Sequence, residues 1–157
     1  MENLHEYFND ESRLMMNRSI GFRERRYIEE LRIVTKSTGV DCIIDDRFDR
    51  IVYVVQKGQM GLAIGKSGEN IKKLASVLGR RIEMVEWDES PEEFIKNCFK
   101  PAEIVKVDIG ETVSVYIPDK SNMGLAIGKG GATIEKARML IKRFFGKELE
   151  DMKTLDE

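Results

Sequence analysis

A lysine between glycines occurs twice in this chain, each time in the same surroundings. Residues 60–66 and 123–129 both read MGLAIGK, and a glycine follows two positions after each lysine. Glycine permits positive φ and, without a Cβ, lets another backbone approach closely, while lysine adds a positive charge. A loop of this composition is suited to binding phosphate groups.

Each of these loops is predicted to lie between two helices. Free backbone N–H groups at a helix start, together with the helix dipole, favour an anion there. We therefore predict that both loops hold the sugar-phosphate backbone of a single-stranded nucleic acid, with unpaired bases resting on aliphatic side chains. The predicted contact residues are Ile64, Gly65, Lys66, Ser67, Gly68, Ile71, Lys72 and Lys73 in the first copy, and Ile127, Gly128, Lys129, Gly130, Gly131, Ile134, Lys136 and Arg138 in the second.

The distribution of charge agrees with this prediction better than the total does. The whole chain has a net charge of −2. Residues 61–81, however, carry five basic residues against one acidic residue, a net of +4, and residues 120–147 carry seven against one, a net of +6. A local basic strip attracts a phosphate chain even when the total charge is slightly negative.

Two other interpretations of the loops compete with this one. The first copy resembles the phosphate-binding loop of NTPases, but that motif needs four residues between its first glycine and the Gly-Lys pair, and three follow Gly61. The second copy has Gly130 where the magnesium-binding hydroxyl should be. The chain is therefore not predicted to be an enzyme. Alternatively, each loop is only a tight helix–helix turn, with its isoleucines in an ordinary core.

The remaining reactive residue types indicate no further chemistry. His5 is the only histidine, and Cys42 and Cys98 have no metal-ligand spacing, so we predict no catalytic residue, no metal and no cofactor, and two buried free thiols. The carboxylates of Asp45, Asp46 and Asp49 are interpreted as a solvated hairpin tip. No apolar run is long enough to cross a membrane, and the first residues lack a signal-peptide pattern, so a cytoplasmic location is expected.

Hydrophobic periodicity predicts the element order α-β-β-α-α-β twice. Residues 1–20 are expected to form an extension, flexible or loosely docked, followed by units over 21–88 and 89–157, the second with a short acidic tail. The predicted elements of the first unit are a helix over 22–36 stopped by Gly39, strands over 40–44 and 51–55, helices over 60–64 and 69–78, and a strand over 81–86. Those of the second are a helix after Ser90, strands over 103–108 and 112–117, a long helix after Gly131, and a strand over 148–152.

Two local details accompany this prediction. Ser90 is predicted to cap its helix, with Glu93 closing a capping box. Tyr53 and Tyr116 have the same separation in the chain as Met60 and Met123, which predicts equivalent places for the two tyrosines in the two sheets.

The loops resemble the fingerprint of the K-homology (KH) domain family, Ile-Gly-x-x-Gly between two helices. Here it reads Ile64-Gly-Lys-Ser-Gly68 and Ile127-Gly-Lys-Gly-Gly131. The element order resembles the prokaryotic, type II version. The resemblance implies an α+β fold of two tandem type II KH domains, each with a three-stranded mixed sheet and helices packed on one face. Two such units over roughly residues 22–152 resemble the paired KH module of the NusA family, most closely its short archaeal members.

The resemblance also implies a function. It implies binding of single-stranded RNA and a role in transcription termination or antitermination, with the transcription machinery as a further partner. The domain that contacts polymerase in the bacterial factor is not expected here, so that contact stays open. A KH protein of RNA processing or translation would carry the same loops, and a protein–protein scaffold would bind no RNA.

Overall fold

The computed structural model of the chain describes residues 19–155, so the predicted extension over 1–20 lies almost wholly outside the described residues. The first unit contains α1 (Phe22–Thr35), β1 (Gly39–Asp45), β2 (Arg50–Val55), α2 (Met60–Ile64), α3 (Glu69–Leu78) and β3 (Arg81–Glu86). The second contains α4 (Pro91–Cys98), β4 (Lys106–Ile109), β5 (Val113–Ile117), α5 (Lys120–Ile127), α6 (Ala132–Phe145) and β6 (Leu149–Thr154). Short 3₁₀ turns, Lys66–Gly68 and Lys129–Gly131, separate α2 from α3 and α5 from α6.

Both units form a three-stranded mixed sheet. In the first sheet β2 pairs antiparallel with β1 and parallel with β3. In the second β5 pairs antiparallel with β4 and parallel with β6. The predicted α+β fold with the order α-β-β-α-α-β in each unit is therefore confirmed. None of the helices in the described part of the chain is long and apolar enough to cross a membrane.

The helix ends correct two local predictions. Helix α1 ends at Thr35 because Lys36 adopts the left-handed conformation (φ 65°), whereas Gly39 opens β1. Ser90 does cap α4, since its Oγ accepts from the Glu93 N–H at 3.3 Å. The return bond of the predicted capping box is not formed, because the Ser90 N–H donates to Asp88 Oδ1 at 2.9 Å instead.

Tyr53 and Tyr116 do not occupy equivalent places, so this prediction is wrong. Tyr53 is fully buried and donates its hydroxyl to the Tyr27 carbonyl at 2.7 Å. Tyr116 is half-buried on the opposite face of its sheet, with the Lys106 and Lys153 ammonium groups 5.3 and 5.8 Å from the ring centroid.

An extra residue between strand and loop explains the difference. Ile51, Tyr53 and Val55 of β2 belong to the core beneath the helices of the first unit, and Val113, Val115 and Ile117 of β5 belong to the core of the second. Val113 therefore corresponds to Ile51. The second unit therefore has one more residue than the first between this strand position and its loop. Since successive side chains of a strand point to opposite faces, a difference of one residue moves a side chain to the other face.

The second unit packs directly on the sheet of the first. Helices α1, α2 and α3 cover one face of that sheet through a core that includes Leu31, Tyr53 and Leu74. The other face contributes Val52 and Val54 to the core of the second unit, which also contains residues of α4 and α6. Helices α4 and α6 therefore lie between the two sheets. The first sheet is covered on both faces, which is why every residue of β2 is buried.

An aromatic cluster closes this shared core. Trp87, which directly follows β3, has its ring centroid 4.9 Å from that of Phe94 and 5.2 Å from that of Phe144. Phe94 and Phe144 meet edge to face at 4.9 Å. The connection between the units is thus held by packing. Cys42 and Cys98 are buried free thiols, as predicted, and burial raises the pKa of Cys42 to about 12.

Removing one ring of this cluster should destabilise both units together. We expect Phe94→Ala to lower the free energy of unfolding by about 3–5 kcal/mol, because a large cavity opens in the shared core. Urea denaturation, followed by circular dichroism and by fluorescence of the single tryptophan Trp87, should give one coincident transition. Val77→Ala, at a site 55% exposed, is the control and should change stability by about 0.5 kcal/mol or less. Two separate transitions would contradict a shared core.

Candidate nucleic-acid interface

The two glycine-lysine loops adopt one backbone conformation. Gly65 and Gly128, which end the preceding helices, have φ of 79° and 77°. Gly68 and Gly131, which begin the following helices, have φ of 74° and 82°. Between them Ser67 and Gly130 are also left-handed, with φ of 57° and 63°. Since φ nearly coincides at each of these paired positions, the second loop is a structural copy of the first.

The first glycine of each loop is required by its own fold. A Cβ built on Gly65 would lie 2.8 Å from the Asn70 backbone nitrogen, and one on Gly128 would lie 2.7 Å from that of Thr133. Both distances are shorter than real Cβ contacts. A Cβ on Gly130, by contrast, would meet nothing within 4 Å.

Each loop presents backbone N–H groups at the protein surface. In the first loop the Gly65 and Gly68 N–H groups are bonded inside the turn, at 2.9 and 3.1 Å, to the carbonyls of Gly61 and Gly65. Those of Lys66 and Ser67, both exposed residues, donate to no described residue. The second loop repeats this pattern, and the N–H groups of Lys129 and Gly130 donate to none of residues 19–155.

The helices that follow the loops begin without a side-chain cap. Gly68 and Gly131 occupy the cap positions of α3 and α6 and offer no side-chain acceptor. Ser90 and Asp119, in contrast, cap α4 and α5 through their side chains. The positive ends of the α3 and α6 dipoles thus coincide with free N–H groups, an arrangement that favours an external anion.

Most of the predicted cations surround these loops at the surface. Lys66 and Lys129 are exposed within the loops, and Lys72 and Lys73 are exposed on α3. The Lys72 ammonium lies 3.4 Å from the Ser67 carbonyl oxygen, so it is beside the first loop. Arg138 is exposed on α6, where its Nη1 is 2.6 Å from Glu135 Oε1.

Lys136 is the exception among the predicted contact residues. It is 7% exposed, and its Nζ donates to Glu83 Oε1 of the first unit at 3.0 Å. Because it is buried, Lys136 is not among the cations that could face a nucleic acid. The periodicity that placed it on a basic helix could not show that this side of the helix is covered by another sheet.

The apolar side chains beside the loops divide into two groups. Ile64 and Ile127 are 36% and 40% exposed and are available to a ligand. Ile71 and Ile134 are half-buried and pack against the two cores. Leu62 and Leu125, 47% and 46% exposed, are absent from the residues predicted from the sequence, although both lie in the identical seven-residue segment.

A buried guanidinium connects the first sheet to the second loop. Arg50 has no exposed surface, and its Nε donates to Asp45 Oδ2 at 2.7 Å. Its Nη1 donates to Glu83 Oε2 at 3.0 Å. Its Nη2 donates to the carbonyl oxygen of Ala132 at 2.9 Å, and Ala132 directly follows the second loop. Asp45 is thus not part of a solvated hairpin tip, as interpreted from the sequence, because it is 6% exposed and bonded to Arg50.

A second contact reinforces this connection. Arg143 of α6 donates to both carboxylate oxygens of Asp41, a fully buried residue on β1, at 2.5 and 3.0 Å. Three residues of α6 are therefore tied by hydrogen bonds to the first unit: Ala132, Lys136 and Arg143. The two loops are held in one relative position.

The chain is similar to known proteins over both units. Residues 24–88 match the family described as KH domain, and residues 91–146 match the NusA-like second KH domain. The probable transcription termination protein NusA of Halococcus morrhuae is 37% identical over 123 residues, which cover 76% of this chain and 87% of the relative. That of Halobacterium salinarum (strain R1) is 39% identical over 124 residues, 77% and 88% of the two chains. The crystal structure of APE1850 has a TM-score of 0.76 at 33% identity and covers 86% of this chain and 99% of its own.

Because of Glu83, the stability of the interface between the two units should depend on pH. Burial alone would raise its pKa, but the attraction of Lys136 and Arg50 outweighs burial and lowers the pKa below its ordinary value of 4.5. A lowered pKa contributes stability that is present at neutral pH and lost as the pH falls through the folded-state value.

We therefore expect Glu83→Gln to lower the free energy of unfolding at pH 7, by up to about 3 kcal/mol, since two buried cations lose their partner. The deficit relative to the parent protein should shrink as the pH falls below 4.5. Urea titrations at a series of pH values measure it. Glu29→Gln, in an exposed pair with Arg32, is the control and should matter little at any pH. A deficit independent of pH would contradict the role given to this carboxylate.

Gly128 and Gly130, the first and third positions of the second loop, should respond differently to substitution. We expect Gly128→Ala to destabilise the protein by at least about 1 kcal/mol, because the new Cβ collides with Thr133 and the left-handed backbone is strained. Gly130→Ser should be tolerated, since the space is open and Ser67 occupies the equivalent place in the first loop. Urea denaturation of the two variants measures the difference, and equal losses would refute the steric argument.

Proposed function

The chain belongs to the NusA-like family of paired KH-domain proteins, and from this membership and the geometry of its loops we propose how it works. Both loops grip the backbone of one single-stranded RNA, and the protein acts through this contact in transcription termination or antitermination. The transcription machinery is its further partner, and its place of action is the cytoplasm. No step of this function requires catalysis.

One observation carries the proposal: two loops of the same conformation present free N–H groups and a lysine at the surface of one joined body. A turn needed only to reverse the chain would require the first glycine of each loop. It would not require an exposed lysine or an uncapped helix start in both copies. These features make chemical sense with a phosphate bound at each loop.

Different groups of the site bind different parts of the RNA. The N–H groups of residues 66–67 and 129–130, with Lys66 and Lys129, hold phosphates. The exposed apolar side chains at the ends of α2 and α5 receive the bases, whose flat faces make apolar contact with them. These side chains are Leu62, Ile64, Leu125 and Ile127.

The contacts between the two units determine how the two loops act together. A KH loop holds about four nucleotides, so two loops cover roughly eight or more. Because Arg50, Arg143 and Lys136 hold the second loop against the first unit, binding at one loop places the strand near the other. The second contact is then intramolecular and can raise the affinity by about 10²–10⁴-fold.

Acidic substitutions in the loops test the proposal. We expect Lys66→Asp with Ser67→Asp, combined with Lys129→Asp and Gly130→Asp, to abolish binding of a single-stranded RNA of about twelve nucleotides, because carboxylates repel the phosphates. The fold should survive, since aspartate tolerates the left-handed conformation and the Gly130 site is open. Fluorescence anisotropy measures binding, and circular dichroism verifies the fold.

A matched control exists in the chain. Lys120→Asp with Ser121→Asp makes the same two changes in residue type as Lys66→Asp with Ser67→Asp, but at the exposed start of α5, away from the loop. The Lys66/Ser67 double variant should lose affinity, whereas the Lys120/Ser121 double variant should bind RNA nearly as the parent does. For the parent, neutralising about four phosphates gives a slope of log affinity against log salt near −3, or −0.7 × 4. Full affinity of the quadruple variant would refute the loop assignment. RNA crosslinked in cells and sequenced distinguishes nascent transcripts from targets of RNA processing or translation.

A further inference from the structure

A cleft outside both loops lies at the far end of α3. It has a volume of about 630 Å³ and is open to solvent. It is lined by Phe48, Asp49, Ala75, Ser76, Gly79, Arg80 and Arg81. The wall is thus made by the last turns of α3, the start of β3 and the hairpin between β1 and β2.

The cleft lies on the same face of α3 as the first loop. A Cβ on Gly68 would contact Ile71 and Lys72, each at 3.7 Å, so these residues adjoin the loop. Ala75 and Ser76 follow them at the spacing of one helical turn, which places them on the same face. The ten residues of α3 span about 15 Å, at 1.5 Å per residue. A strand gripped at the first loop can follow this face into the cleft.

The hairpin connects the cleft to the second loop. Arg50, at the end of the hairpin, is bonded to the Ala132 carbonyl, and Arg47 Nη1 lies 3.6 Å from Glu135 Oε2 in the first turn of α6. Both contacts lie within the residues that directly follow Gly131. The cleft is therefore between the two loops, bordered by the helix that leaves the first and by the hairpin that touches the second.

The residues of the cleft can bind both parts of a nucleotide. Two arginines fix the position of Phe48. The Arg50 guanidinium lies 4.7 Å from the centroid of the Phe48 ring, and Arg81 Nη2 donates to the backbone carbonyl oxygen of Phe48 at 3.2 Å. An aromatic ring beside guanidinium planes is a typical stacking surface for an unpaired base. Arg81 is 57% exposed, so its charge is accessible to a phosphate.

A phosphate can also replace the carboxylate partners of Arg80. Its Nη1 is a buried atom that lies 3.1 Å from Asp46 Oδ1 and makes no hydrogen bond with any of the described residues. Its carboxylate partners, Asp46 and Asp49, are 77% and 84% exposed, and exposed ion pairs of this kind contribute little to stability. A phosphate brings more charge to the same guanidinium.

We propose that this cleft binds one nucleotide of the strand that runs from the first loop to the second. Its base stacks against Phe48, and its phosphate lies at Arg80 and Arg81. This inference rests on the proposed function, since it assumes that one RNA strand occupies both loops. It adds a subsite that belongs to neither Gly-x-x-Gly loop, built from the β1–β2 hairpin of the first unit.

Two substitutions in the full chain test the subsite. Arg81→Gln removes the exposed charge, and Phe48→Leu keeps an apolar side chain but removes the aromatic face. We expect Phe48→Leu to weaken binding of a fluorescein-labelled single-stranded RNA of about twelve nucleotides by about 5-fold or more, the loss from one stacked base. Arg81→Gln should reduce the salt slope by about 0.7, the contribution of one phosphate. Lys153→Gln, 52% exposed on the outer face of the second sheet, removes the same charge and should change neither quantity.

The outcomes separate this inference from the proposed function. If the parent binds, the quadruple loop variant does not, and both cleft variants bind as the parent does, the subsite is wrong and the loop assignment stands. If the parent binds no RNA, both the subsite and the proposed function are wrong. Should Phe48→Leu unfold, Arg81→Gln decides alone, because that side chain is largely exposed. Crosslinking with 4-thiouridine at each RNA position should place an internal nucleotide on the peptide that contains Phe48, and a crosslink found only at the loops would overturn the subsite.

Discussion

The arrangement of the two halves depends on the buried guanidinium of Arg50. A charge without exposed surface must have its hydrogen-bonding directions filled, because an unpaired buried ion is strongly destabilising. Nε and Nη1 donate within the first unit, to Asp45 and Glu83. The third nitrogen, Nη2, donates to the carbonyl of Ala132 in the second unit. The first sheet thus completes its own polar interior with the residue that follows the second loop, so stability and the placement of the loops share one cause.

The duplicated unit is used in two different ways. The outer face of the first sheet carries Val52 and Val54 and is buried beneath α4 and α6. At the equivalent places of the second sheet stand Ser114 and Tyr116, both only half-buried. A sheet face that packs on helices must be apolar, whereas one that meets water can be polar. One face therefore makes the joint between the units, and the other ends the stack of layers.

Glycine serves two separable purposes in the loops. Gly65 and Gly128 are imposed by the protein itself, since a Cβ would strike the start of the next helix. At the third loop position the space is open, and one copy has Ser67 where the other has Gly130. A side chain is tolerated there because it points away from the fold. What is common to both copies is the exposed lysine and the free N–H groups, which internal packing does not explain.

The amino-acid sequence by itself determined the local structure, including the two glycine-lysine loops. The exact repeat at residues 60–66 and 123–129, helical and strand periodicity, and glycine at helix ends are properties of neighbouring residues, so the element order and both loops could be predicted from them. Tertiary structure decided what depends on contacts between distant residues. Lys136 is buried where it meets Glu83 of the first unit, and the buried Arg50, to which Asp45 is bonded, also donates to Ala132 of the second unit. Tyr116 lies on the opposite face from Tyr53 because the second unit has one more residue between this strand position and its loop. Helical and strand periodicity could not show the contacts of Lys136 and Arg50, since both depend on how the second unit packs against the first.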